Sequence, residues 1–434
     1  MIRKHFLPGG LFVLALALAG CGGNTDKADA AQTALPEPED TGIAVPEGFY
    51  AQIVADTVGR ARHLTVRDNG DVYVMLDKPN KEGGIAGLRD TNGDGKADEM
   101  VYFGAHTGTG IEIYQGYLYY ASDTSIHRYR LDDTSLKPLG EAEQIVGGLP
   151  IQGTYHAAKP FDFDGAGNLY VNVGAPSNAC QEKDREKDSQ GMDPCPLLEK
   201  QGGIWQFKAD VPGQTQDKDG KRYASGIRNA VALNWNTAAN ALYALQHGRD
   251  QLNFLYPELY TEQQSAELPA EEFLKVTEGA DFGWPYCYFD QLQNKKVLGP
   301  EYGGDGKIQE RCADKDQPIL AFPGHYAPND LIFYRGDQFP EQYKNGAFIA
   351  FHGSWNRTPL TQQGYHVVFV PFKGDQPSGD WRVFADDFAG VDPVVSSREV
   401  LHRPCGLAEG PDGSLYVADS KGGRIYRIFY KGIR

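Results

Sequence analysis

Five short segments of the chain carry side chains that could do chemistry. In the first, residues 153–159, His156 has an imidazole whose ordinary pKa, near 6.5, suits a base at neutral pH. In the second, Arg228 has a planar fork of donors that suits carboxylate or quinone oxygens, and Asn229 can both donate and accept. A hydrogen-bonded loop histidine and a surface salt bridge are the plainer interpretations of these two segments.

The third segment, residues 246–250, could bind a hard cation. Gly248 frees the backbone to turn, so the carbonyls of Gly248 and Arg249 could both point at Ca²⁺, with Asp250 beside them. An ordinary turn at the end of a strand explains the same residues without a metal.

The fourth and fifth segments, residues 351–357 and 402–407, place arginine beside groups that stack or hydrogen-bond. The candidate ligand-binding residues in them are Trp355, Asn356, Arg357 and Arg403. Four of the five segments contain an arginine in a chain of formal net charge −16, and all five lie beside a repeated strand. A ring of inward arginine, asparagine and histidine side chains therefore predicts a buried, polyanionic ligand.

A separate calcium site is predicted in the loop at residues 90–99. Its oxygen ligands follow EF-hand spacing at positions 1, 3 and 5, with Gly95 at position 6 and Val101 in place of the usual Glu at position 12. The predicted ligands are Asp90, Asn92, Asp94 and Lys96. We expect a structural role for this site, and a turn without a metal is the alternative.

A repeated pattern of a tight turn and an apolar–aromatic strand predicts the fold. The copies begin at residues 69, 116, 167, 240, 345 and 412. Their number and spacing predict an all-β, six-bladed β-propeller with long inter-strand loop insertions, formed by residues 46–434 as one domain. Residues 46–56 look like an isolated strand that completes the last blade.

Composition excludes several classes of protein. Of 434 residues, 41% are hydrophobic and 23% are charged, which is ordinary for a globular protein. The net charge of −16 argues against nucleic acid as a partner and gives no electrostatic reason to lie on anionic lipid.

The N-terminus predicts export. Residues 1–21 combine basic residues with a short apolar run, which is typical of a signal peptide. Residues 18–21 (LAGC) resemble a bacterial lipobox, so we expect lipidation of Cys21, with residues 22–45 as a flexible tether. Gly22 after the cysteine favours the periplasmic side of the outer membrane, with membrane contact only through the lipid.

An exported chain is expected to form disulfides. Proximity along the sequence pairs Cys180 with Cys195 and Cys287 with Cys312, and it leaves Cys405 as a small buried hydrophobic residue.

The order of several motifs is similar to that of the glucose/sorbosone dehydrogenase family, especially L-sorbosone and soluble aldose sugar dehydrogenases. These motifs are residues 226–229 (GIRN), 247–250 (HGRD), 281–286 (DFGWPY), 352–357 (HGSWNR), 403–404 (RP) and 411–417 (PDGSLYV). The resemblance covers nearly all of residues 46–434. It implies a propeller that holds pyrroloquinoline quinone (PQQ) and Ca²⁺ at one end of its channel.

The resemblance also implies roles for individual residues. His156 would be the general base for a sugar hydroxyl while hydride passes to the quinone C5, and Arg228 would stabilise charge on the quinone oxygens. Asn229 and Arg403 would contact the cofactor. The backbone carbonyls of Gly248 and Arg249 would bind the Ca²⁺ that polarises the quinone.

The chain departs from the soluble glucose dehydrogenases in the fifth blade. A cofactor-binding lysine of that branch is replaced by residues 352–357, in which Asn356 or Arg357 could substitute for the lysine and Trp355 could stack, so no firm role is carried over. The expected substrate is an aldose or an aldehyde sugar such as a sorbosone, and the expected electron acceptor is a periplasmic cytochrome or a membrane quinone.

Two other functions fit a propeller, because fold does not determine function. A calcium-dependent lactonase or hydrolase would hold its metal with carboxylates and asparagines, whereas the channel candidates here are arginine and histidine. A non-catalytic ligand-binding lipoprotein is the other alternative, and PQQ binding would distinguish it.

Overall fold

A computed structural model of the protein describes residues 39–80, 83–151 and 155–432. These residues form six antiparallel sheets arranged as the blades of a β-propeller, which confirms the predicted fold. The predicted signal peptide, residues 1–21, and Cys21 lie outside the described residues, as does most of the predicted tether.

The chain enters through β1 (Phe49–Ala55) and then builds blades 1 to 3 in order. Blade 1 contains β2 (Ala61–Val66), β3 (Val72–Asn80), β4 (Gly83–Arg89) and β5 (Glu99–Phe103). Blade 2 contains β6 (Gly108–Tyr114), β7 (Tyr117–Ser122), β8 (Ile126–Arg130) and β9 (Glu143–Gly147). Blade 3 contains β10 (Phe161–Phe163), β11 (Asn168–Val173), β12 (Gly203–Lys208) and β14 (Lys221–Ser225). The short strand β13 (Gln214–Thr215), between β12 and β14 in the chain, pairs with β9 of blade 2.

Blades 4 to 6 follow the same plan. Blade 4 contains β15 (Ala230–Asn236), β16 (Ala241–Gln246), β17 (Glu271–Val276) and β20 (Leu320–Phe322). Between β17 and β20, the strands β18 (Cys287–Asp290) and β19 (Lys295–Leu298) form a separate hairpin. Blade 5 contains β21 (Pro328–Phe333), β22 (Gly346–His352), β23 (Tyr365–Lys373), the short β24 (Gln376–Pro377), and β25 (Arg382–Ala385). Blade 6 contains β26 (Pro404–Glu409), β27 (Leu415–Asp419) and β28 (Ile425–Tyr430).

Helical structure in the described residues is confined to short segments in the connections between strands. The α-helices are α1 (Gln216–Asp219), α2 (Leu252–Leu255) and α3 (Glu262–Glu267), and the 3-10 helices are Pro196–Glu199, Pro300–Tyr302, Glu310–Cys312 and Glu341–Tyr343. None of them is long and apolar enough to cross a lipid bilayer.

The ring is closed by the N-terminal strand. β1 pairs antiparallel with β28, and Phe49 lies opposite Tyr430. The first and last described strands therefore share blade 6, as the isolated strand at residues 46–56 predicts. The chain is also ordered before Pro46, because Ala44 pairs with Asp386 through two backbone hydrogen bonds of 3.0 and 2.9 Å.

The six repeats correspond to the second strand of each blade. They are β3, β7, β11, β16, β22 and β27. A second strand has a neighbour on each side within its sheet, and both of its faces pack against adjacent blades. It is therefore buried along most of its length and reads as an apolar run, which explains why these strands were visible in the sequence.

Six hydrophobic clusters hold the ring together, one between each pair of adjacent blades. Between blades 1 and 2, for example, Tyr73 and Ile85 pack against Leu118 and Tyr120. The cluster between blades 5 and 6 includes Phe49 of the closing strand. Because each blade buries both of its faces, the strands keep a fixed position around the channel.

This arrangement brings the candidate segments to one end of the channel. The start of the first strand and the end of the second strand are adjacent in an antiparallel hairpin. Residues 226–229 precede β15, residues 247–250 follow β16, and residues 353–357 follow β22. All five segments lie at such positions, so they share one end of the propeller.

Two disulfides secure the long insertions at this end. Cys180–Cys195 and Cys287–Cys312 are formed as predicted, within loops of 15 and 25 residues. Cys405 is a buried free thiol, also as predicted. The two insertions contact each other, since the Trp284 indole donates to the Asn178 carbonyl at 3.0 Å.

Candidate active site

A funnel-shaped cavity of about 590 Å³ opens at the end of the channel where the segments meet. Its polar lining comes from several blades and includes Arg62, Thr109, His156, Asn229, His247 and His352. Its size falls within the range usual for cofactor and small-molecule sites.

His156 lies in this funnel in the protonation state that a general base needs. Its backbone is in the left-handed region, with φ of 51°, and its Nδ1 is hydrogen-bonded to the carbonyl of Ala175. A carbonyl can only accept, so Nδ1 carries the hydrogen and Nε2 keeps a free lone pair. Burial and the neighbouring Arg228 lower the pKa of His156 to about 3, so the ring is neutral at pH 7.

Arg228 lies behind the funnel wall with only 3% of its surface exposed. Its Nε donates to the Asn178 carbonyl at 3.2 Å, and its Nη1 donates to the Gly248 carbonyl at 2.8 Å. Its Nη2 donates to the Asn178 side chain at 3.2 Å and to the Asp250 carboxylate at 2.9 Å. The guanidinium is therefore saturated by protein acceptors and holds residues 247–250 in place.

Asp250 is the counter-charge of this cluster. Its carboxylate accepts from Arg228, from Arg185 at 2.6 Å and from Asn356 at 3.0 Å. Although burial opposes ionisation, the two guanidinium groups keep the pKa of Asp250 below its usual value. Its charge is already balanced, so Asp250 acts here as an ion-pair partner.

The backbone of Gly248 is held by hydrogen bonds on both sides. The Gly248 carbonyl accepts one hydrogen bond from Arg228 and keeps a second lone pair, and its N–H donates to Glu271 at 3.0 Å. The Arg249 side chain points elsewhere and pairs with the buried Glu301. Calcium at the Gly248 and Arg249 carbonyls stays a prediction.

The three candidates of the fifth blade occupy different environments. Trp355 is 55% exposed, and Asn356 binds Asp250. Arg357 is buried and donates to the Ala266 carbonyl at 2.6 Å and to Glu267 at 2.5 Å. Arg357 thus fastens its loop to α3, and its role as a cofactor ligand stays a prediction.

The remaining two candidates lie close to the funnel. The Asn229 amide oxygen accepts from Asn172 at 3.1 Å, which fixes the orientation of its side chain in the wall. Arg403 donates to the His352 carbonyl at 2.9 Å and to that of Gly353. Arg403 itself does not line the funnel, but it holds the backbone of His352, which does.

Several site residues carry little or no signal in the sequence. Asn178 is fully buried and binds both Arg228 and Asp250, yet it lies in an insertion outside the repeats. Its only sequence signal is the nearby Cys180, which marks a constrained loop. Arg62 and Arg185 also contribute, but nothing in their local sequence distinguishes them from surface arginines.

The loop at residues 90–99 has EF-hand-like turns. The Asp90 carboxylate accepts backbone hydrogen bonds from Gly93 and Gly95, both at 2.7 Å, and Asp94 accepts one from Lys96 at 2.8 Å. Within the described part of the chain, no cluster of three or more His, Cys, Asp and Glu side chains is arranged to hold a metal. Calcium in this loop stays a prediction.

The neutral histidines predict a pH dependence of stability. Burial lowers the pKa of His247 to about 4, while an unfolded histidine titrates near 6.5. Below pH 6.5 the unfolded chain therefore binds a proton that the folded chain excludes, and stability falls by about 1.4 kcal/mol per pH unit for such a group until pH 4. His247→Gln, which can still donate to Pro328, should remove that loss.

The measurement is urea unfolding of both proteins at pH 7, 5.5 and 4. Buried carboxyls with raised pKa values, such as Glu112 and Glu271, make the folded protein more stable as the pH falls, which is the opposite effect. They are present in both proteins and therefore cancel in the comparison. Equal pH slopes for the two proteins would contradict the prediction.

The fold and site define a six-bladed propeller with a polar funnel built by its blade ends. The family described as TrAA12-like matches residues 43–431, so the chain belongs to this family. This family and the relatives below confirm the resemblance to quinone-dependent sugar dehydrogenases.

The relatives that resemble this chain in sequence are distant, and each match covers only part of the two proteins. A PQQ-dependent pyranose dehydrogenase of Coprinopsis cinerea is 27% identical over 241 residues, covering 48% of this chain and 31% of that protein. The aldose sugar dehydrogenase YliI of Escherichia coli is 23% identical over 277 residues, covering 61% and 58%. An uncharacterised protein of Borreliella burgdorferi is 30% identical over 213 residues, covering 48% and 49%. The matches therefore span between about a third and three-fifths of each relative.

Solved structures show the same fold. The PQQ domain of the Coprinopsis cinerea pyranose dehydrogenase, in its holo form, superposes with a TM-score of 0.70 at 19% identity, covering 91% of this chain and 98% of that one. The calcium structure of the Trichoderma reesei enzyme of family AA12 gives a TM-score of 0.72 at 17% identity, with the same coverage.

Proposed function

We propose that this protein is a PQQ-dependent dehydrogenase that oxidises an aldose or an aldehyde sugar. The observation that carries the proposal is His156, a neutral imidazole that lines the 590 Å³ funnel and whose Nε2 has no hydrogen-bond partner among the described residues. Two relatives named as sugar dehydrogenases support the reaction class.

The funnel fits a flat, anionic cofactor. Its wall offers donors from Arg62 and Asn229, with Arg403 close by, and these suit the carboxylates and carbonyls of PQQ. When bound, PQQ supplies the two-electron acceptor for the sugar.

The chain's own residues position the substrate proton and receive it. The Ala175 carbonyl fixes the tautomer of His156, so that Nε2 can take the proton from the sugar hydroxyl. Arg228 lies behind the wall and holds the 247–250 backbone, which keeps the funnel in shape. We therefore assign Arg228 a positioning role, whereas the resemblance implies direct contact with the quinone.

The test is reconstitution of the purified protein with PQQ and Ca²⁺, followed by dye reduction with a panel of aldoses. PQQ binding is measured separately by quenching of tryptophan fluorescence. We expect micromolar or tighter binding and sugar-dependent dye reduction. Saturable PQQ binding without any sugar oxidation would favour a ligand-binding propeller, and no PQQ binding would exclude the dehydrogenase.

Calcium is part of the proposal at two places. The Gly248 and Arg249 carbonyls would hold the ion beside the cofactor, and the loop at residues 90–99 would hold a structural ion. Exhaustive chelation is expected to abolish dye reduction, and added Ca²⁺ should restore it. Asp94→Asn should weaken the thermal stabilisation by Ca²⁺ but keep the recovery of activity, because it alters only the loop. Full activity after exhaustive chelation would contradict the ion near Gly248.

We also propose that the protein is exported and anchored as a lipoprotein on the periplasmic side of the outer membrane, with a periplasmic cytochrome or a membrane quinone as electron acceptor. The lipobox at residues 18–21 supports the anchor. Cys21→Ser is expected to release the protein from the membrane fraction, and unchanged fractionation would contradict the anchor.

A further inference from the structure

The funnel contains a guanidinium group that has no anionic partner in the described part of the protein. Arg62 lies at the start of β2 on the blade 1 side, across a blade boundary from Thr109 of blade 2. Its Nε donates to the Thr109 hydroxyl at 3.3 Å. Among the described residues, no carboxylate lies within ion-pairing distance of Arg62, and no acceptor is in place for Nη1 and Nη2.

The other arginines at this end are engaged. Arg228 is saturated, Arg357 is paired with Glu267, and Arg403 donates to two carbonyls. Arg62 therefore presents two terminal NH2 groups to the cavity, with no partner for them among the described residues.

A half-buried guanidinium that lines a cavity and has no protein anion can pair with an anionic group of a ligand. The free Nη1 and Nη2 groups match a carboxylate, which can accept from both at once. The Thr109 hydroxyl beside Nε adds one more polar group for a sugar oxygen. The two acidic residues of the lining, Asp77 and Asp123, do not pair with Arg62. Asp77 pairs with Arg60 at 3.3 Å, and Asp123 is exposed.

We propose that Arg62, supported by Thr109, is a carboxylate-binding subsite that selects acidic sugars such as uronic acids over neutral aldoses. This inference rests on the proposed function for its substrate class. The same chemistry could serve a carboxylate of PQQ, so the experiment has one arm for each source of the carboxylate.

The first arm uses the protein without PQQ, titrated with D-glucuronate and with D-glucose by calorimetry. We expect glucuronate to bind at least tenfold more tightly than glucose, and Arg62→Gln to abolish this preference. A charged, two-point hydrogen bond corresponds to about 10- to 100-fold in affinity. Arg62→Lys should keep part of the preference, because it keeps the charge but not the fork.

The second arm measures PQQ affinity by fluorescence quenching in the same variants. Lys78→Gln is the control, because Lys78 is an exposed cation of the same lining. A loss of glucuronate preference with PQQ affinity unchanged identifies the substrate as the source of the carboxylate. A tenfold loss of PQQ affinity in Arg62→Gln, but not in Lys78→Gln, identifies the cofactor instead.

If Arg62→Gln, shown to be folded by its circular dichroism and thermal midpoint, changes neither affinity, the subsite is refuted. Equal effects of Arg62→Gln and Lys78→Gln would also refute the subsite, since they would reflect only the overall positive electrostatic potential in the funnel. Failure of the wild-type protein to bind PQQ would count against the proposed function, whereas the glucuronate arm would still report on Arg62.

Discussion

His156→Ala is expected to lower kcat about 10²- to 10⁴-fold while PQQ binds with nearly unchanged affinity. The reason is that a positioned general base contributes an acceleration of this size, and that the ring contacts the protein through Nδ1, leaving Nε2 for the substrate. Stopped-flow dye reduction after reconstitution measures the chemical step, and fluorescence quenching measures cofactor binding.

The control is His106→Ala, which removes an exposed histidine outside the funnel lining and should leave the rate unchanged. His156→Gln should be nearly as slow as His156→Ala, because an amide is not a base at neutral pH. A rate for His156→Ala within threefold of the wild type would remove His156 from the mechanism.

Asp250→Asn is expected to lower the free energy of unfolding by about 3–5 kcal/mol, because it leaves buried arginine charge without its counter-ion. Arg228, which is 3% exposed, and Arg185 both donate to the same Asp250 oxygen, at 2.9 and 2.6 Å. We also expect PQQ affinity to fall, because the 247–250 backbone loses the arrangement that Arg228 maintains.

Urea unfolding at pH 7 measures the stability of this variant. Glu186→Gln is the matched control, since it breaks an exposed ion pair with Lys183 of the kind that contributes little. A loss below about 1 kcal/mol for Asp250→Asn would show that Asp250 is not the counter-ion of a buried charge.

The two variants test different parts of the site. His156 is a catalytic candidate whose loss should affect turnover without affecting the fold. Asp250 and Arg228 support the wall, so their loss should affect stability and cofactor binding together. If both variants lost only stability, the funnel would be a structural feature rather than an active site.

The sequence by itself determined the repeat, and with it the fold. Each blade contributes a second strand that is buried on both faces, so six separate stretches had to be apolar and each had to follow a tight turn. The disulfide partners and the closing strand could also be predicted from the sequence, because they depend on residue spacing and on the order of elements along the chain. Candidate segments could be found because they flank these strands.

Only the tertiary structure decided what the candidates do. The sequence cannot show which acceptors surround a guanidinium, because those acceptors come from distant parts of the chain. Arg228 meets Asn178, 50 residues away, and becomes saturated. Within the described part of the chain, Arg62 hydrogen-bonds only with Thr109, 47 residues away. The local sequence of neither arginine shows these acceptors, and it is the closure of the ring that makes Arg228 a support of the wall and places Arg62 in the lining of the funnel.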